Sequence, residues 1–246
     1  MRKTFFLTAI LLPISFITPL TKEVWHALDE KIFFFFNSYV AYQPLQRIFW
    51  AFANIKITDI YGAFFIVGAF FLYIYEGKGK ERRQRYAHFV YTLIWFEITT
   101  LFSKQFYNPI CEYLALCRHS PTVIYEHAFR LSRLVSWIKI KDLSFSCFPG
   151  DHATITFVWC SFFWFFAGWK RGLLVTSVSL LFLLPRLISG AHWMSDICVG
   201  SIPIVICATL IATRHFIINL GLAFLYRCVQ YMPSHSKGEY HVSASN

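Results

Sequence analysis

Three residue types that serve phosphate or acyl chemistry stand close together in the stretch PRLISGAHWMSD. Arg186 is followed after five residues by His192, and His192 after three more by Asp196. Residues four apart share one face of a helix, so Asp196 is expected to accept one imidazole N–H of His192. That bond fixes the tautomer and leaves the other ring nitrogen as a nucleophile or base. Gly190 lets the backbone turn just before the pair. The same two residues would also suit a helix cap and a headgroup-level anchor. Arg186 favours chemistry, because it lies well inside an apolar run, just after Pro185, where a charge is costly and usually functional.

A second stretch, CFPGDH, ends on His152. Pro149 and Gly150 shape a turn into an apolar run, and the free N–H groups of a helix start bind anions, phosphate above all. His152 would then sit in the first turn beside a bound phosphate, with Asp151 next to it and no evident task. A third cluster holds Arg118 and His119, with Lys104 upstream. Arg130, Arg133, Lys139 and Lys141 follow and are read as contacts to lipid headgroups.

The elements that must position these residues are membrane helices. Of the 246 residues 57% are hydrophobic and 15% charged, with mean hydropathy +0.49, which sets the chain apart from soluble domains. Six apolar runs approach the roughly 17–25 residues a span requires, at about 4–20, 57–75, 86–103, 153–169, 173–189 and 197–213. The expected fold is therefore an all-α, six-transmembrane-helix bundle in a single membrane domain. Residues 214–246 form a cytoplasmic tail whose last dozen residues read as disordered. The basic loops EGKGKERRQR and GWKRG, with Arg2 and Lys3, are placed in the cytoplasm by the positive-inside rule. The segments 21–56 and 104–152 and the turn at Gly190 then share the outer face. Segment 21–56 reads as one or two amphipathic helices in the interface plane. A further span at 32–53 is disfavoured by Asn37, Gln43, Pro44, Gln46 and Arg47.

The net charge of +10 lies in short loops between apolar runs. It therefore speaks for membrane topology and anionic headgroups, and against nucleic acid as a partner. The seven cysteines show no metal spacing. Cys160, Cys198 and Cys207 read as core thiols, while Cys111 and Cys117 could pair in an oxidising compartment.

Taken with their order, these motifs resemble the type 2 phosphatidic acid phosphatase (PAP2) superfamily, whose pattern is Lys-x6-Arg-Pro, then Pro-Ser-Gly-His, then Ser-Arg-x5-His-x3-Asp. The third motif matches Arg186, His192 and Asp196, with Pro185 in place of serine. The second matches Pro149-Gly150-Asp151-His152, with its serine and glycine replaced. The first is degenerate: Arg118 has its proline three residues on, and Lys104 lies fourteen residues upstream rather than seven. FPGDHA, RHSPT, PRLISGAHWMSDICVGS and IFFFFNS are further similar to the Kdo2-lipid A phosphotransferases, the lipid A 1-diphosphate synthases of Gram-negative inner membranes, over about residues 30–205.

The resemblance implies a metal-free, cofactor-free double displacement at the periplasmic face, with undecaprenyl diphosphate and lipid A as substrates. His192 would become phosphorylated, Asp196 would orient it, and His152 would act as acid and then base. Arg186, Arg118, Lys104 and the Gly150 N–H would hold the phosphoryl oxygens. Two alternatives stand beside this: a lipid (di)phosphate phosphatase using the same phosphohistidine, and a non-catalytic phosphate-lipid transporter. Oligomeric state is left open.

Overall fold

A computed structural model describes residues 2–230 as helices and connecting loops. α1 (Arg2–Ile17) meets α2 (Pro19–Tyr42) at an angle of 89°. Proline pushes the residue before it out of the helical region and tolerates only the first turn of a new helix. Thr18 is accordingly extended and Pro19 opens α2. The same device at Gln43 and Pro44 opens α3 (Pro44–Ala53), so residues 32–53 are divided between two helices.

α4 (Lys56–Glu76) and α5 (Lys80–Phe102) follow, and α5 continues through a π-helical turn, Ser103–Tyr107, into α6 (Asn108–Tyr113). The next stretch is mostly irregular, with only the short helices α7 (Pro121–Ile124) and α8 (Leu131–Leu134). α9 (Asp151–Ala167) and α10 (Trp169–Ile188) form a hairpin. A second π-helical turn, Asp196–Ser201, leads into α11 (Ile202–Ala212), and α12 (His215–Gln230) closes the described chain.

The packing centres on α9, whose Trp159 and Phe163 rings meet the Phe70 ring of α4 edge-on, at 5.4 and 4.8 Å between centroids. Val158 and Phe162 of α9 pack with Tyr91 of α5 and Val205 of α11. A separate cluster, Val40, Ala51, Leu131 and Ile188, fastens α2 and α3 to α8 and α10. Outward, α4 and α10 expose Phe64, Leu72, Leu174 and Leu181. Apolar surface on that scale is a liability in water and is the natural face of a helix in hydrocarbon. α4 and α10 are each long and apolar enough to cross a bilayer, and there are up to four such spans if the bent pairs α1–α2 and α11–α12 each count as one. These helices fit an integral membrane protein.

Helix direction sorts the ends of the bundle. The start of α4, the start of α9 and the end of α10 meet through Asp59, His152 and Arg186. At the other end Glu76 is ion-paired with both Arg85 and Arg171, joining the loops that carry the basic runs.

Part of the expected tail is structured. Residues 215–230 form α12 at 71° to the preceding helix, and it packs on α5 with Leu225 and Val229 buried. Its apolar residues are spaced for one face of a helix, which the basic residues flanking the segment obscured. The last dozen residues, expected to be disordered, lie outside the described residues. All seven cysteines are free thiols, Cys111 and Cys117 included. Of the three expected in the core, Cys160 is buried, Cys198 is half-buried and Cys207 is exposed.

Candidate active site

α10 ends at Ile188, and Gly190 turns the chain back with φ +71°. A side chain here would be strained twice, since a Cβ would lie 2.7 Å from both Phe33 and Thr122. The reversal hydrogen-bonds the Ala191 and His192 N–H groups to the Arg186 carbonyl, at 3.0 and 3.3 Å. His192 thus lies ahead of the next helix. It meets Asp196 across a helix start, and the expected shared helical face is not what joins them.

His192 Nδ1 is 3.0 Å from the Cys147 carbonyl oxygen and 3.4 Å from Asp196 Oδ2. A carbonyl only accepts, so in the neutral ring Nδ1 carries the proton and Nε2 the lone pair. Asp196 is wholly buried. Its Oδ2 also accepts the Trp193 backbone N–H at 2.8 Å, the reach-back of a capping box. Capping and holding the imidazole are therefore one arrangement.

Arg118 lies behind that carboxylate. Its Nη2 donates to Asp29 Oδ2 at 2.8 Å, to Asp196 Oδ1 at 3.1 Å and to the Ser195 hydroxyl. Asp29, from α2, also accepts the Ser195 N–H at 2.9 Å and its hydroxyl at 2.6 Å. The guanidinium stacks over the Trp193 ring at 4.9 Å. Two buried carboxylates demand such a counter-charge. Cys147 closes this side, its thiol donating to the Arg118 carbonyl at 3.1 Å. Burial, with the Asp196 charge, pushes the Cys147 thiol well up, so it stays protonated and is no nucleophile.

The CFPGDH turn docks on the π-helical turn that starts at Asp196. Gly150 N–H donates to the Asp196 carbonyl at 3.2 Å, and Ser201 Oγ donates to the Gly150 carbonyl at 2.8 Å. Gly200 permits the approach: a Cβ there would lie 2.9 Å from Pro149 Cα. The two motifs thus meet, but the Gly150 N–H is committed to protein.

His152, at the head of α9, has a half-exposed side chain whose Nε2 is 3.8 Å from Asp59 Oδ2. Asp59 in turn holds Arg186 Nη2, while Arg186 Nη1 is buried without a partner. Burial and then the Arg186 charge lower the His152 pKa; Asp59 opposes them, and Lys141 and His192 lower it further. The imidazole is therefore neutral at neutral pH.

Two hollows meet at these residues. One, of about 610 Å³, is walled by Lys56, Arg130, Lys139 and Lys141; the other, a cleft of about 270 Å³, by Ile66, Phe96, Trp159, Phe182 and Leu183. Asp59, His152 and Arg186 line both. Lys104 lines neither. It is exposed in the turn after α5 and shares a crevice of about 20 Å³ with Asp151, which places Asp151 beside a cation and off the cavity walls.

Sequence reasoning missed Asp29, Asp59, Ser195 and Lys56, and it gave Lys139 and Lys141 only a headgroup role. Asp59 carried a usable signal, being a carboxylate at the edge of an apolar run. Asp29 carried none, since it sits among the charged residues of an amphipathic helix.

The PAP2 superfamily matches residues 85–219, a range that contains His152, Arg186, His192 and Asp196 and omits Asp29 and Asp59. The chain is 27% identical over 195 residues to the lipid A 1-diphosphate synthase of Escherichia coli (strain K12), a match covering 78% of each chain. No solved structure matches. The match spans more than half of the sequence and both histidine motifs, and the chain belongs to the PAP2 superfamily of enzymes that act on phosphate esters.

Proposed function

We propose that the protein transfers the distal phosphate of undecaprenyl diphosphate to the 1-phosphate of lipid A, through a phosphohistidine on His192. The observation that carries this reading is the 3.0 Å contact from His192 Nδ1 to the Cys147 carbonyl, which makes Nε2 the lone-pair nitrogen of the neutral ring. Nε2 attacks the distal phosphorus, the P–O bond to the bridging oxygen breaks, and undecaprenyl phosphate leaves. The buried Asp196 stabilises the positive ring so formed. In the second half an oxygen of the acceptor phosphate attacks the same phosphorus, and the P–N bond breaks.

His152 is neutral at rest. The negative charge of a docked phosphate raises its pKa, so it takes up a proton to give to the leaving phosphate and then serves as base for the acceptor. The phosphoryl oxygens fall to Arg186, whose Nη1 is unpartnered. Arg118 and Gly150, placed as they are, act one step back by holding Asp196, and Lys104 has no part in this scheme.

The apolar cleft beside His152 supports a long-chain donor. The membrane arrangement we propose is six spans in the bacterial inner membrane, with the Asp59, His152 and Arg186 end facing the periplasm and the Glu76 and Arg171 end in the cytoplasm. The E. coli relative supports lipid A as acceptor. Undecaprenyl diphosphate radiolabelled in its distal phosphate, given to the purified protein with lipid A, should pass its label to lipid A. Release of the label only as inorganic phosphate would make the protein a phosphatase.

A further inference from the structure

Beyond His152 and Arg186, the larger cavity is walled by cations that phosphoryl transfer leaves idle. Lys56 comes from the start of α4, Arg130 from just before α8, and Lys139 and Lys141 from the loop after α8. The two carboxylates in this wall are already engaged. Asp59 holds Arg186. Asp142, itself buried, accepts Arg130 Nη2 at 3.2 Å and the Ser132 N–H at 2.8 Å. None of the three lysines has an ion-pair partner among the described residues. Two of the wall residues each carry a buried guanidinium nitrogen with no hydrogen-bond acceptor, Arg186 Nη1 and Arg130 Nε. Such groups are costly to leave unpaired, and a turn of either side chain toward an anion in the cavity would satisfy them. At about 610 Å³ the cavity is far larger than one phosphate needs.

We propose that this cavity is a second anion subsite, which takes a phosphate group of the substrate other than the one that reacts. The proposal rests on the phosphoryl-transfer reading for the reacting phosphate. The second phosphate is either the inner phosphate of a diphosphate donor or the remote phosphate of a doubly phosphorylated acceptor. Lys139 and Lys141 carry the selectivity, because their charges are exposed to the cavity and free to turn toward a ligand.

The test compares inorganic phosphate, pyrophosphate and tripolyphosphate as ligands of the His192→Ala protein, with and without Lys139→Gln and Lys141→Gln. Both lysines are exposed, so folding is not at stake, and Lys78→Gln on the opposite end serves as control. The condensed phosphates should bind about tenfold more tightly than phosphate, and the double substitution should abolish that preference while the control keeps it. A preference that is absent, or that survives the double substitution, overturns the subsite. In the protein with His192 intact, a rise in KM for the diphosphate donor alone assigns the subsite to the donor, and a rise for the acceptor alone assigns it to the acceptor. Binding is read without turnover, so a failure of the transferase reading leaves this result interpretable.

Discussion

Asp196 gives one carboxylate oxygen to Arg118, at 3.1 Å, and the other to the turn that carries His192. One buried carboxylate thus links His192, the proposed nucleophile, to an arginine held in place by Asp29 of α2. Those three side chains come from segments far apart in sequence, so the position of His192 depends on how α2, the 114–120 loop and the turn after α10 are packed together.

Arg118→Ala should therefore be costly in two ways. It leaves Asp29 and Asp196 buried without their counter-charge, a loss expected to destabilise the fold by about 3–5 kcal/mol. It also frees Asp196 to move from His192, lowering kcat more than it raises KM. Thermal unfolding in detergent and steady-state kinetics check this. A wild-type melting temperature would refute the coupling.

The neighbours of His152 predict a pH effect with a definite sign. His152 must be neutral to act as base for the acceptor, so kcat/KM for the acceptor should fall as the pH drops through its lowered pKa, below the ordinary histidine range. Lys141 lowers that pKa and Asp59 raises it. Lys141→Gln should move the acid limb to higher pH and Asp59→Asn to lower pH. Shifts of the same sign would contradict the assignment of His152.

Gly200→Ala tests the docking of the two motifs. The added methyl would sit 2.9 Å from Pro149 Cα, a clash with backbone that cannot simply rotate away. A loss of about 1–3 kcal/mol is expected, with turnover falling further because the 149–152 turn and the 196–201 turn must separate. Wild-type activity in this variant would show that their close approach is dispensable.

The motif spacing told most about the proposed catalytic pair, His192 and Asp196. Arg186-x5-His192-x3-Asp196 brought the two side chains together correctly, although the reason given, one helical face, was wrong; the reversal at Gly190 brings them together. Helices occur in each of the six apolar runs, since composition alone drives them. What stayed hidden was long-range. Arg118 looked like a phosphate ligand because a cation on an outer loop carries no mark of the carboxylates it will meet. Asp29 and Asp59 become partners of site residues only once α2 and α4 are packed, and the Gly150 N–H is lost to phosphate because of a carbonyl 46 residues downstream. Helix α12 was missed because the basic residues that flank it resembled a tail.

Transfer of the phosphate to His192 Nε2 is the step on which the proposed reaction depends. Protein mixed with distally labelled undecaprenyl diphosphate without acceptor, then quenched in base, should hold an acid-labile, base-stable phosphoryl group. Tandem mass spectrometry should map it to His192, and His192→Ala should carry none. A phosphoryl group on another residue, or wild-type turnover in His192→Ala, would contradict the account.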